Sequence, residues 1–187
     1  MAGDTGAASA GDVLGTAAPT VTWRGRAYKL GRPDQAAKER FELLVWEAEK
    51  AALRAEKEAG LATADEYAAA RRALGAAFDR REYRQGGELW RKYVVGGAEA
   101  EAGVVLFVLS LLQAHHPDLK YADVRAMGDE SGDDMLYALQ YAVPPFFGWA
   151  GEAMRLPPQA MEPALAAAMA PIRARLSSST PAASTAN

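Results

Sequence analysis

The sequence predicts a mainly α, small helical domain with an N-terminal β-hairpin and disordered termini. Three observations carry that reading. Alanine is plentiful and half of the residues are hydrophobic, a balance that favours packed helices because alanine loses no side-chain entropy on entering one. The segment 102–127, AGVVLFVLSLLQAHHPDLKYADVRAM, runs from an apolar stretch through a His-His-Pro-Asp stop into a polar, helix-compatible stretch. Near the start, Val21 and Trp23, then Tyr28 and Leu30, alternate on either side of Arg24-Gly25.

At 187 residues the chain suffices for one domain with a substantial core. Residues 1–19 hold one Leu and one Val among Ala, Gly, Ser and Thr, too little apolar surface to offset ordering. The same holds for 177–187, so the single α-rich domain is expected over 20–176. There is no cysteine, hence no disulfide framework and no thiolate metal site. The N-terminus lacks the basic and apolar regions of a secretory signal. The apolar run Ala102–Leu112 falls far short of the roughly 20 residues of a membrane span. The net charge of −3 conceals a split: residues 21–95 carry sixteen basic and twelve acidic side chains, residues 96–187 five and ten. Such polarity could orient a partner or a neighbouring copy of the chain.

The elements follow in order. Val21–Leu30 forms a hairpin over 20–30, because Gly25 tolerates the positive φ of a tight turn. Pro33 opens a long helix from Asp34 to about Ala59, with Phe41, Val45, Ala48 and Ala52 in one apolar stripe that Leu43, Trp46 and Leu53 widen. Gly60 ends it. Thr63-Ala-Asp-Glu66 is a capping box that starts a second helix running to about Asp79. The short loop forces an antiparallel helical hairpin over 34–79. A short helix spans Glu88–Val95, and Gly96-Gly97 breaks it. The buried central helix, 98–115, stops before Pro117, which cannot continue it. A brief helix from Tyr121 gives way at Gly128. Ser131-Gly-Asp-Asp134 starts another, with Leu136, Leu139 and Val143 inward, and Pro144-Pro145 ends it. Phe146–Trp149 reads as irregular. An Ala-rich helix interrupted at Pro163 and Pro171 closes the fold.

Each chemically suggestive cluster has a plainer reading. His115 and His116 are adjacent, whereas ligands on one helix face recur every three or four residues. They suit a helix C-terminus, where imidazoles meet free carbonyls. The acidic run Asp129–Asp134 lacks EF-hand order and reads as helix capping. Arg71, Arg72, Arg80, Arg81, Arg84, Arg91 and Lys92 surround Tyr83 and Trp90, a mixture that can hold single-stranded nucleic acid. Acidic neighbours dilute it, and no nucleic-acid motif frames it. The glycine pairs form no phosphate loop, and neither Ser110 nor Ser131 sits in a nucleophile elbow. No catalytic, metal or cofactor-binding residue is therefore assigned, and the chain is read as a non-enzyme.

Two segments resemble the tail assembly chaperones of long-tailed bacteriophages and prophages. One is Val21–Leu30, VTWRGRAYKL, followed by a helix carrying Arg40-Phe41-Glu42. The other is Val105–Val124, with LLQAHHPDLKYADV. Together they cover about a fifth of the chain. The helical hairpin 34–79 and the Pro-rich extension after Val143 depart from the pattern. The resemblance implies a non-enzymatic factor, cytoplasmic in a bacterial host, that holds a tail tube or tape-measure subunit. An edge strand of the hairpin, or an apolar groove beside the 98–115 helix, could receive that subunit. Trp23, Tyr28, Phe146, Phe147 and Trp149 are the expected contact residues. Three other readings stay open: a nucleic-acid-handling factor using 71–92, another structural component of a phage-type particle, and an enzyme with His115 or His116 as its acid–base group.

Overall fold

The computed structural model describes residues 18–95 and 98–154, with side chains at all but a few helix positions, Phe147 among those omitted. The chain opens with β1 (Thr20–Trp23) and β2 (Arg26–Lys29), paired antiparallel with Val21 opposite Tyr28 and Trp23 opposite Arg26. Arg24 and Gly25 both take positive φ, 49° and 73°, the left-handed geometry of a two-residue turn that matches strand twist. Val21, Trp23, Tyr28 and Leu30 face inward and are buried. The expected hairpin is thus present.

Helix α1 (Gln35–Glu58) starts where the Asp34 carboxylate accepts the Ala37 N–H at 2.9 Å. Helix α2 (Ala64–Asp79) starts at the capping box, with the Thr63 N–H donating to the Glu66 carboxylate at 2.8 Å. The two run as the antiparallel pair the short loop requires. Helix α3 (Glu88–Val95) and helix α4 (Ala98–Leu112) follow. Gly103 is where they meet: a Cβ there would lie 1.7 Å from the Tyr93 carbonyl oxygen, so only glycine permits the approach. Helix α5 (Tyr121–Glu130) starts where Asp123 reaches back to the Lys120 N–H at 2.8 Å. It runs through Gly128, past its expected end.

The last described helix, α6 (Gly132–Met154), continues through Pro144-Pro145. This corrects both the expected stop and the expected irregular stretch at 146–149. Two prolines remove two helical donors and cost about 3 kcal/mol each in an isolated helix. Burial on both sides of them outweighs that cost. Ala138, Ala142 and Val143 are buried before the pair, and Phe146 after it. The closing helix expected around Pro163 and Pro171, the C-terminal tail and residues 1–17 of the N-terminal tail lie outside the described residues, whereas Pro19 is buried and its carbonyl accepts the Leu30 N–H at 2.9 Å.

The core is centred on α4, where every residue from Leu106 to Leu112 is buried. Helices α1, α3, α5 and α6 all pack on it, so the groove expected along its flank is filled. Phe41 of α1 meets Phe107 of α4 edge-on at 6.0 Å and Phe146 of α6 at 5.3 Å. Phe107 meets Trp149 at 5.1 Å. Polar ties fix the layers. The Arg40 Nε donates to the Ser110 carbonyl at 2.8 Å, and the Gln85 N–H to the buried Glu42 carboxylate at 2.8 Å. Among the described residues, no helix is long and apolar enough to cross a membrane.

Candidate protein-binding surfaces

The expected contact residues are mostly inside. Trp23 and Tyr28 are 8% exposed and Phe146 is 1% exposed. Trp149 is half-buried against the aromatic cluster and its carbonyl accepts the Gln85 side-chain amide at 3.0 Å. The Phe147 side chain lies outside the described residues. Trp23, Tyr28 and Phe146 are therefore core residues. Their apolar rings already have partners in the fold, and reaching them would require the domain to open.

Several of the hairpin's outward polar groups are also taken. On the β1 edge, the Thr22 N–H donates to the Asp134 carboxylate at 2.7 Å, and the Ser131 hydroxyl donates to the Thr22 carbonyl at 2.7 Å. Glu130 accepts the Trp23 indole N–H at 2.8 Å and the Arg24 guanidinium at 2.8 and 3.0 Å. On the β2 edge, the Lys29 N–H donates to Nε2 of His116 at 3.1 Å, while the His116 ring meets Tyr28 edge-on at 5.1 Å. The α5–α6 junction thus occupies positions on the β1 edge that an added strand would use, and His116, just beyond α4, takes one on the β2 edge. This arrangement assigns the acidic run and His116 structural tasks. Ser131 still accepts the Met135 N–H through its carbonyl, but its hydroxyl serves the hairpin.

This clamp is acid-sensitive. The hydrogen bond from Arg24, and then that from Trp23, hold the Glu130 carboxyl below the usual carboxylate range. Burial, followed by the nearby charges of Arg26 and His115, pulls the His116 imidazole below its ordinary range. A group whose folded pKa is depressed stabilises the fold above its unfolded pKa, and that contribution is lost as pH falls through the folded value. Acidification should therefore loosen the hairpin in two small steps. His116 protonates first, below its ordinary 6.5, and Glu130 next, below its ordinary 4.5. Near-UV circular dichroism should register both, and Glu130→Gln should erase the lower step alone. One step that ignores this substitution would show that the hairpin is held otherwise.

Two cations of the basic stretch are answered from within. Arg80 pairs with Glu82, and Lys92 pairs with Glu49 at 2.7 Å and Glu99 at 3.8 Å. The rings of His115 and His116 are 6.4 Å apart, and no group of three metal-competent side chains occurs among the described residues.

The surface that sequence reasoning missed lies between α1 and α2. Beyond Val45, α1 buries no residue, and α2 buries only Ala77. From Val45 to its end α1 extends roughly 20 Å at 1.5 Å per residue, making with α2 a two-helix arm. Between the helices is an open groove of about 380 Å³ lined by Trp46, Leu53, Tyr67 and Leu74, with Lys50, Arg54 and Arg71 on it and Gly75 in its wall. Lys50 pairs with Glu47 and sits over the Trp46 ring at 5.7 Å; Lys57 sits over Tyr67 at 4.5 Å. Arg54 and Arg71 are exposed with no ion-pair partner among the described residues. Leu61 at the arm's tip is 79% exposed. The periodicity placed Trp46 and Leu53 in a core stripe, because sequence cannot reveal that no third layer of the described residues covers that part of α1. One signal was available. Gly75 stands inside a helix, where glycine costs about 1 kcal/mol relative to alanine, and such a glycine usually has a packing or functional reason.

No family model matches the sequence, and neither a curated protein nor a solved structure matches it.

Proposed function

We propose that this chain is a non-enzymatic protein-binding factor of a phage-type tail, an assembly chaperone or adaptor that holds a tail tube or tape-measure subunit. One observation carries the reading. The two segments that resemble tail assembly chaperones, far apart in the chain, pack against each other. Lys29 of the first bonds His116 of the second across 87 residues, and Gly31, just beyond the first, donates its N–H to the Leu111 carbonyl at 2.8 Å. They form one structural unit, hairpin on helix end, so the resemblance involves a coherent piece of the fold. The arm built by the departing segment 34–79 adds an exposed surface to that unit, and holding a subunit requires such a surface.

The test is co-expression of the tagged full chain with a tail tube or tape-measure subunit from the same phage-type gene cluster. The subunit should co-purify with the chain, free of nucleic acid, and remain soluble only when the chain is present. Recovery of nucleic acid or metabolic proteins in place of the subunit would overturn the proposal.

A further inference from the structure

We propose that the α1–α2 groove is the docking site for an acidic amphipathic helix of the partner protein, an inference that rests on the protein-binding reading and specifies its surface. Three features of the arm converge on that occupant. The apolar floor formed by Trp46, Leu53 and Leu74 lies between two antiparallel helices, a trough suited to the i, i+3/i+4, i+7 anchors of a third. The guanidinium groups of Arg54 on α1 and Arg71 on α2, unpaired among the described residues, border it, and planar guanidinium groups bind carboxylates in bidentate fashion. Gly75 supplies the third feature. A Cβ there would meet nothing within 4 Å, so no described residue requires glycine at that point. The space is open for a partner's side chain or backbone to close against α2.

Charge and ring geometry favour a protein helix over nucleic acid. From Gln35 to Asp79 the chain carries nine acidic and seven basic residues, so a polyphosphate running along the arm would meet net repulsion. A helix that places a few carboxylates only at Arg54 and Arg71 would not. The rings are also engaged already: Trp46 and Phe78 lie 4.8 Å apart, and Phe78 stacks on Tyr83 at 5.2 Å.

The probe is a fluorescein-labelled 18-residue helix-forming peptide with leucines on one face and glutamates flanking them. Its twin carries lysines in place of the glutamates, and a labelled dT20 oligonucleotide is the nucleic-acid control. With the full-length chain, anisotropy should show the glutamate peptide binding at least 10-fold more tightly than its twin. Arg54→Glu combined with Arg71→Glu should weaken binding at least 10-fold. Gly75→Leu should abolish binding while raising the melting temperature, because leucine is the better helix former and the space is open. Equal binding of both peptides, undiminished binding by the double variant, or tighter binding of dT20 would overturn the proposal. So would peptide binding lost only through dimerisation of the chain, seen by sedimentation. The broader reading fails separately. If the double variant still captures the tail subunit, the groove assignment falls and the reading stands. If the parent captures no tail subunit yet binds the glutamate peptide selectively, the reading falls and the groove assignment stands.

Discussion

Phe41→Ala is expected to lower the unfolding free energy by about 3–5 kcal/mol, the range for truncating a buried aromatic. Phe41 is fully buried and is the residue through which α1 touches both the central helix and the proline-containing helix. Its ring makes two edge-to-face contacts, each adding about 0.5–1.5 kcal/mol beyond area burial. Because Phe107 and Phe146 also contact each other at 4.9 Å, neither can move far to fill the void without losing that contact. A domain stable by about 5–15 kcal/mol would keep only part of its margin. Urea denaturation followed by tryptophan emission measures the loss. A decrease below about 1.5 kcal/mol would mean that the three rings do not organise the core as described.

The second large effect comes from a single added methyl group. Gly103→Ala would place its Cβ 1.7 Å from the Tyr93 carbonyl oxygen and 2.8 Å from the carbonyl carbon. Both are backbone atoms of α3, so no side-chain rotation relieves the overlap, and α3 must move off α4. Overpacking a core commonly costs about 1–3 kcal/mol, and this backbone collision is expected to exceed that range. Gly128→Ala is the matched control. It is helical too, and its Cβ would meet nothing within 4 Å, so the propensity gain of up to about 1 kcal/mol should appear. Equal stability of the two variants would disprove the tight crossing of α3 and α4.

Much of the scaffold was legible because its signals are local. The turn at Arg24-Gly25 and the Thr63–Glu66 box each act within four residues, and each appears where its chemistry puts it. The limits of α3 were legible for the same reason. What escaped is set by distant partners. Pro144-Pro145 is a strong local stop, but the helix is held by residues on α1 and α4 that no window around the prolines contains. Trp23 and Tyr28 sit on a hairpin that looks marginal alone, and their burial depends on Glu130 and His116. At the arm the error runs the other way. The apolar period of α1 continues past Val45, while Ala52 is exposed and Leu53 lies half-exposed in the groove. Periodicity reports that a face exists, not that something covers it.

The clamp on the hairpin also bears on the order in which the chain can mature. The residues that secure β1 lie 107 to 112 positions downstream of it, contacts of the kind that slow folding because a long loop must close first. At ribosomal speeds of about 5–20 residues per second, Trp23 is synthesised some 5–20 s before Glu130 and Asp134. Throughout that interval the hairpin has free strand edges and uncovered rings. The nascent chain therefore passes through a stage in which its N-terminal strands are open to another molecule, and completion of α5 and α6 ends it.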